Sequence, residues 1–512
     1  MRNILVLVFV LTFGFISCPN DNDKSSSPSI ETFNFSNLDG NDIYLVKVNK
    51  SGTVVNDENT GGARILSSNI ANNINERSEI YEELPFTGNP AATEFNANPL
   101  PFNKESTYRL LNAFNNFVPP DVGDTRNFWV ETAIFGRLIW TEKQATLRAT
   151  GTHGNIWVMD ENYSPSSTEK LNYQITTEQA EALSDKFDLI YPAATNILGF
   201  EYGGGPNGDG GVDDDPKIQI LVYDIDRDNV AGYFWGKDLH QQSQLDTNSR
   251  NAKTNLAEII YLDASETNNF PDYMYSLMIH ELQHFINYSV KWIKHGKSSA
   301  TWYNEMLSAM AEDIIAPMIG VNASNRYHSI NQRMRRFLVW YDQVGITEWN
   351  TSSASSTYNS YSKGFAFGAY LLRNYGGAEL LKRILANNTT NIESISSALN
   401  ELYSGMNFEK ALVRFGETMI YSGPLMPEGV MTFDKSVTNT INGYTYTAYG
   451  FDIYNDFIHI NDPLIFNLQK INMRPHLISV HSVDRWKNIS GNISISLEKS
   501  TNNNLELYLL VK

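Results

Sequence analysis

Cysteine is almost absent from this chain. Cys18 is the only cysteine among the 512 residues, so no disulfide can form within the chain. Exported proteins often depend on such bridges, and stability here has to come from core packing and bound ions instead. A large core is available, since 42% of the residues are hydrophobic and 12% are aromatic. The length predicts two or three domains.

Basic residues are also in deficit. The chain has 39 lysine and arginine residues against 57 aspartate and glutamate residues, which gives a formal net charge of −18 at pH 7. A surface that binds nucleic acid needs the opposite excess of charge. The composition therefore argues against nucleic acid as a partner, and the acidity mainly favours solubility.

Long apolar runs are lacking after the first residues of the chain. Ile4 to Ile16 is interrupted only by Thr12 and Gly14 and follows the basic Met1-Arg2-Asn3. This stretch is too short for a comfortable membrane span and is typical of a signal peptide. The sequence therefore predicts export rather than insertion by a transmembrane helix.

Cys18 lies where a bacterial lipoprotein signal is cleaved and the new amino terminus is acylated. The preceding Phe15-Ile16-Ser17 is a loose version of the usual Leu-Ala-Gly, and a polar, serine-rich tether follows. We expect a lipid anchor in a bacterial membrane, with the protein facing the periplasm or the cell surface. Ordinary soluble secretion is the alternative.

The most informative motif is His280-Glu281-Leu282-Gln283-His284. The apolar residues of Tyr273 to Tyr288 recur at helical spacing. Two histidines four residues apart lie on one face of a helix, so both imidazoles can bind one metal ion, and Glu281 can hold a water molecule beside it. This pattern is the basis of a zinc site.

A second predicted helix supplies a third ligand. Trp302-Tyr303-Asn304-Glu305 opens an amphipathic run, and Glu305 follows His284 by 21 residues, which is enough for a loop and a second helix alongside the first. Catalytic zinc readily takes two nitrogens and one carboxylate oxygen and keeps its fourth position for water. The sequence therefore predicts His280, His284 and Glu305 as zinc ligands.

These blocks resemble the gluzincins, the zinc peptidases whose third ligand is a glutamate. Residues 302–305 are similar to the Trp-Leu-Asn-Glu pattern of zinc aminopeptidases, and Tyr361-Ser362-Lys363-Gly364 is similar to their Tyr-Glu-Lys-Gly stretch. The resemblance implies that Glu281 is the general base and that Tyr361 stabilises the oxyanion. His328 is the alternative donor, because thermolysin uses a histidine.

The chain departs from the aminopeptidases upstream of the zinc motif. It lacks their Gly-x-Met-Glu-Asn segment, which holds the free amino terminus of the substrate, and has instead the apolar run Asn255 to Asp263. This run reads as a strand, and an edge strand can pair with an extended peptide. The combination resembles the hyicolysin-type neutral metallopeptidases, a secreted bacterial endopeptidase family, over roughly residues 215 to 420.

The chain also departs from thermolysin-like enzymes, which carry an aspartate four residues after the glutamate ligand to orient a zinc histidine. Position 309 is alanine. Glu312 lies on the same helical face as Glu305 and is the candidate substitute, followed by Asp313. The alternative is that both acids are simply solvated.

An acidic, glycine-rich stretch covers residues 207–215. Its oxygen-bearing side chains alternate as in a calcium loop, although position 218 is isoleucine, where an EF-hand needs glutamate. An acidic turn without an ion is the alternative. The candidate calcium ligands are Asn207, Asp209, Asp213 and Asp215.

The order of predicted elements indicates an α+β protein, and the resemblance implies a zincin-like core with a sheet-bearing half and a helical half. The resemblance also implies a zinc-dependent, lipid-anchored endopeptidase acting on extracellular or periplasmic proteins. The alternative is a surface binding protein or adhesin with an inactive zincin core. The predicted boundaries are 1–17 for the signal peptide, 18–32 for the tether, 33–120 for an N-terminal β-rich region, 121–425 for the metallopeptidase domain and 426–512 for a C-terminal β-rich domain.

Overall fold

The computed structural model describes residues 30–56, 88–102, 117–134, 137–225, 230–248, 251–321, 329–423, 426–457, 463–467, 471–482, 486–498 and 502–512. The predicted signal peptide, most of the tether with Cys18, and His328 lie outside these residues. Within the described ranges, every helix is too short or too polar to cross a membrane.

Helices and strands are mixed along the chain, as expected for an α+β protein. The helices are α1 (Pro90–Ala97), α2 (Thr177–Leu198), α3 (Gln242–Thr247), α4 (Ala264–Asn269), α5 (Pro271–Asn287), α6 (Thr301–Ile315), α7 (Ser329–Trp340), α8 (Ala354–Asn374), α9 (Ala378–Ala386), α10 (Asn391–Leu402) and α11 (Phe408–Phe415). The strands are β1 (Ile30–Asn41), β2 (Ile43–Asn49), β3 (Val55–Asn56), β4 (Thr125–Ile134), β5 (Arg137–Thr150), β6 (Gly154–Met159), β7 (Ile218–Tyr223), β8 (Gly232–Phe234), β9 (Ile259–Asp263), β10 (Val437–Ile441), β11 (Tyr444–Ala448), β12 (Phe466–Asn467), β13 (Asn472–Met473), β14 (Ile478–Ser482), β15 (Ile489–Glu498) and β16 (Leu505–Val511).

The chain divides into two compact units. The larger unit comprises Glu79–Phe408 and Lys435–Gly450, and the smaller unit comprises Met1–Ser78, Glu409–Asp434 and Phe451–Lys512. In the smaller unit β2 lies between β14 and β16 and is antiparallel to both. Strands from both ends of the chain thus share one sheet, whereas the sequence predicted separate N-terminal and C-terminal β-rich regions. Alternation of residues reveals a strand but not its distant partner.

The larger unit has a six-stranded sheet among its described residues, in the order β4–β5–β6–β7–β9–β8. Strands β6, β7 and β9 are parallel, while β8 pairs antiparallel with β9. Both β7 and β9 are buried along their whole length, as expected for strands covered on both faces.

The strand at the edge of the sheet is not the one that the sequence suggested. Of the run Asn255 to Asp263, only residues 259–263 form a strand, β9, which lies between β7 and β8 and so is interior. The edge on that side is β8, which has three residues. A strand that short shows too little alternation to be detected in a sequence.

Helices α5, α6 and α8 form the interior of the helical half. Helix α5 begins with Pro271 in its first turn, a favourable position because the missing N–H has no partner there. Its residues from Ser276 to Asn287 are all buried. Helix α8 comes close to α6 through Gly368, where a Cβ atom would lie 2.6 Å from Cγ of Met310. This packing brings the residues of three helices to one site.

Candidate metal centre

His280 and His284 on α5 meet Glu305 on α6. One ligand atom of each residue lies within 4.8 Å of the others, and all three residues are buried. Nε2 of His280 is 3.0 Å from Oε2 of Glu305, and Nε2 of His284 is 3.5 Å from Oε1. Two imidazole nitrogens and a carboxylate oxygen are the donors of a catalytic zinc site, so the residues fit this metal.

Glu312 contacts the far side of His280. Its Oε1 atom lies 2.7 Å from Nδ1 of His280, and it accepts hydrogen bonds from Arg333 at 2.9 Å and from Ser276 at 2.9 Å. A carboxylate at Nδ1 favours the tautomer whose Nε2 is free to bind a metal. The structure thus places Glu312 against His280, where the sequence suggested it, and not in solvent.

Ser308 contacts the far side of His284 in the same way. Its Oγ atom lies 3.0 Å from Nδ1 of His284, and it also donates to the side-chain oxygen of Gln283. Sequence reasoning missed this residue, although Ser308 follows Glu305 by three positions and therefore lies on the same helical face. Asp313, the other candidate, instead forms a buried ion pair with Arg373.

The electrostatics of the three residues favour positive charge between them. Burial lowers the pKa of His280, but its hydrogen bonds to Glu305 and Glu312 outweigh burial and raise that pKa to about 10. Burial works against ionisation of Glu305, yet the two histidines hold its pKa below the usual range. A buried carboxylate between two imidazoles is therefore a suitable ligand for a cation.

Glu281 points toward the edge of the sheet. Its Oε2 atom accepts a hydrogen bond of 2.8 Å from the backbone N–H of Phe234, the last residue of β8. Burial raises the pKa of Glu281, while the charges of His284 and His280 work in the opposite direction. This raised pKa suits a residue that has to accept and release a proton.

Tyr361 on α8 lies at the same cleft. Its hydroxyl accepts a hydrogen bond of 2.8 Å from the backbone N–H of Gly88, and its ring makes an edge-to-face contact with Trp349 at 4.8 Å. Burial, reinforced by the charge of Glu305, raises the pKa of Tyr361 well above its ordinary value. The hydroxyl therefore keeps its proton at neutral pH.

A cleft of about 620 Å³, partly open to solvent, contains these groups. Its walls come from the segment 88–97, from β8, from α5 and α6, and from Arg333 and Tyr361. Arg333 was not anticipated, because its pairing with Glu312 depends on how α7 packs and leaves no spacing signal.

The candidate calcium ligands are not brought together. Asp209 and Asp213 accept hydrogen bonds from backbone N–H groups two residues further on, at 3.3 Å and 3.2 Å. Asp215 accepts from Asn155 and Gln219 at 2.8 Å and 3.0 Å, and Asn207 is exposed. Among the described residues these side chains form turns and a buried polar cluster, and the group with metal-binding geometry is the one at 280, 284 and 305.

The chain is similar to known proteins over most of the larger unit. Residues 137–439, more than half of the chain, match the family described as Peptidase M30. One relative, the "Neutral metalloprotease ShpI" of Staphylococcus hyicus, is 26% identical over 312 residues. That alignment covers 58% of this chain and 62% of the relative, so the chain spans less than two thirds of the relative's length.

Proposed function

This chain belongs to the peptidase M30 family, and from that premise we propose that it is a zinc-dependent endopeptidase of the gluzincin type. The observation that carries the proposal is the convergence of His280, His284 and Glu305 within 4.8 Å. Glu281 follows the first of these histidines directly. A protein that only binds its partner has no need of such a base.

The positions of the side chains support the following chemistry. A bound zinc ion would supply a Lewis acid that polarises the scissile carbonyl and lowers the pKa of water. Glu281 removes the proton from the attacking water and passes it to the leaving amine. The Tyr361 hydroxyl donates a hydrogen bond to the oxyanion that develops on the carbonyl oxygen.

The substrate class is an extended peptide within a longer chain. Residues of β8 line one wall of the cleft, and an edge strand of a sheet can pair with an extended peptide. The sequence carries no Gly-x-Met-Glu-Asn segment for a free amino terminus. We further propose export and lipid anchoring through Cys18, so that the substrates are extracellular or periplasmic proteins.

The test compares an internally quenched peptide, blocked at both ends, with an unblocked aminoacyl substrate. We expect cleavage of the blocked peptide and of unfolded casein, loss of cleavage with a chelator, and recovery when zinc is added. Cleavage confined to the aminoacyl substrate would contradict endopeptidase action. Stoichiometric zinc without any cleavage would favour the alternative of a surface binding protein.

A further inference from the structure

We propose that the segment 88–102, which precedes the family-matched residues, completes the active site, and that the backbone N–H of Gly88 positions the hydroxyl of Tyr361. This inference rests on the proposed peptidase function and deepens it. Gly88 is then a positioning residue that acts through Tyr361, and it need not touch the substrate.

The segment is built into the larger unit. Ala92, Phe95 and Leu100 are 2%, 4% and 7% exposed and pack in one hydrophobic cluster with residues of the sheet, among them Trp157 and Tyr233. The indole N–H of Trp292 donates to the carbonyl of Leu100 at 2.9 Å. Removing these side chains from water stabilises the packing of the segment on the sheet. Such burial is expected of a permanent part of the unit.

Asn96 fixes the segment to the edge strand. Its Nδ2 atom donates to the carbonyl of Phe234 at 2.9 Å, and its Oδ1 atom accepts from the N–H of Gly236 at 2.9 Å. The N–H of Phe234 in turn donates to Glu281. Asn96 thus holds the backbone at Phe234 and Gly236 in place. The N–H of Phe234 in this stretch orients Glu281, the candidate base.

Asn89 fixes the other end of the segment. Its Oδ1 atom accepts from the N–H groups of Ala91 and Ala92 at 3.0 Å and 3.3 Å, which caps α1, and its Nδ2 atom donates to Glu131 at 3.2 Å. These bonds restrain the backbone next to Gly88. The N–H of Gly88 is therefore held at a defined place on the wall of the cleft.

The bond from Gly88 to Tyr361 leaves the phenol ready to donate. A phenol oxygen has one proton, and an N–H that donates to its lone pair at 2.8 Å leaves this proton for another acceptor. It also makes the hydroxyl a better donor, because hydrogen bonds in a chain polarise one another. Glycine suits this approach, since a Cβ atom at residue 88 would lie 3.2 Å from the Tyr361 oxygen and 3.3 Å from Oγ1 of Thr93.

Two substitutions at residue 88 test the proposal. Gly88→Pro removes the N–H, and we expect kcat to fall about tenfold while KM changes little, as for other groups that orient a catalytic side chain. Gly88→Ala keeps the N–H but crowds the hydroxyl, and we expect a smaller fall. Gly52→Ala in the smaller unit is the control, because its Cβ would meet nothing nearer than 3.6 Å. A rise in kcat/KM at residue 88 would show that the segment obstructs the cleft and would overturn the proposal.

A double-mutant cycle isolates the link to Tyr361. In a Tyr361→Phe background, Gly88→Pro should cause no further loss, because the acceptor of the bond is gone. An equal loss in both backgrounds would mean that Gly88 acts by another route. The alanine variant enters the same cycle and decides the matter if the proline variant fails to fold.

A second readout does not depend on cleavage. In protein labelled with ¹³C at tyrosine Cζ, the resonance of Tyr361 is assigned by its loss in Tyr361→Phe. We expect it to shift in Gly88→Pro and to stay in place in Gly52→Ala. An unchanged resonance overturns the positioning role whatever the activity, whereas wild-type protein without cleavage overturns the proposed function instead.

Discussion

Glu312 and Ser308 each contact the metal-remote nitrogen of one candidate ligand, at 2.7 Å and 3.0 Å. Groups in such positions fix the ring orientation, and their loss typically weakens metal binding about 10- to 100-fold. We expect this loss of zinc affinity in Glu312→Gln and in Ser308→Ala, measured by competition with a chelating dye. Glu401→Gln, which alters an exposed ion pair with Arg383, should leave the affinity unchanged. Equal affinities in all variants would contradict the assigned roles.

Tyr361 has a matched control on its own helix. If its hydroxyl stabilises the oxyanion, Tyr361→Phe should lower kcat roughly 10²- to 10³-fold with little change in KM. Tyr358 precedes it by three residues on α8 and is not among the residues that line the cleft. Tyr358→Phe should therefore keep its activity. Similar losses in both variants would show a structural effect instead.

At the scale of single residues, the sequence predicted those site residues that a motif places at a fixed spacing along the chain. His280, His284 and Glu281 lie within five consecutive residues, and Glu305 begins a recognisable block. Arg333 and Gly88 could not be found in this way. Their partners lie 21 and 273 residues away along the chain, and they meet only through the packing of α7 and of the segment 88–102.

Among the elements, Asp213 in the turn before β7 and Glu258, the residue before β9, form a pH-sensitive pair. Glu258 accepts the N–H of Val212 at 2.9 Å, and both Glu258 and Asp213 are largely buried. Burial raises the pKa of both carboxyls, to about 7 for Asp213, and the charge of Asp213 adds to the effect at Glu258. The folded state therefore keeps protons that the unfolded state releases near pH 4. Stability from this pair is present below about pH 4 and is lost as the pH rises through about 7.

Glu258→Gln tests this linkage. The amide still accepts from Val212 and cannot ionise, so the variant should exceed wild type in free energy of unfolding by about 1–3 kcal/mol at pH 8. Near pH 5 we expect that advantage to shrink. Urea unfolding at both pH values measures the difference, with the exposed Glu161→Gln as control. A difference that is the same at pH 5 and pH 8 would contradict the assignment.

Elements were predictable where the pattern was long. Helix α5 was anticipated from its apolar spacing and β9 from the apolar run at residues 255–263, and the α+β class followed from the order of the predicted elements. The edge position of β8 was not anticipated, since three residues carry no periodicity and sheet order is set by distant pairing.

For the whole molecule, the pairing of the two chain ends is the feature with the widest consequence. Strand β2 lies between β14 and β16, and Leu45, Val46 and Val48 in β2 are fully buried. A protein that starts at residue 88 lacks this strand, so we expect β14 and β16 to become accessible to proteases. Limited proteolysis with mass spectrometry measures the effect, with the full chain as control. Unchanged protection of residues 478–511 would contradict the shared sheet. The sequence could not predict this arrangement, because β2 is more than 400 residues away from both of its partners, β14 and β16.

The central claim is that one buried site both binds zinc and breaks peptide bonds. The most direct measurement determines zinc content and casein cleavage on the same preparations of wild type and Glu281→Gln. We predict one zinc per chain in both proteins and cleavage in wild type alone, because the glutamine cannot take the proton of the attacking water. Cleavage by the Glu281→Gln protein, or a wild type that cleaves equally well without zinc, would contradict the account.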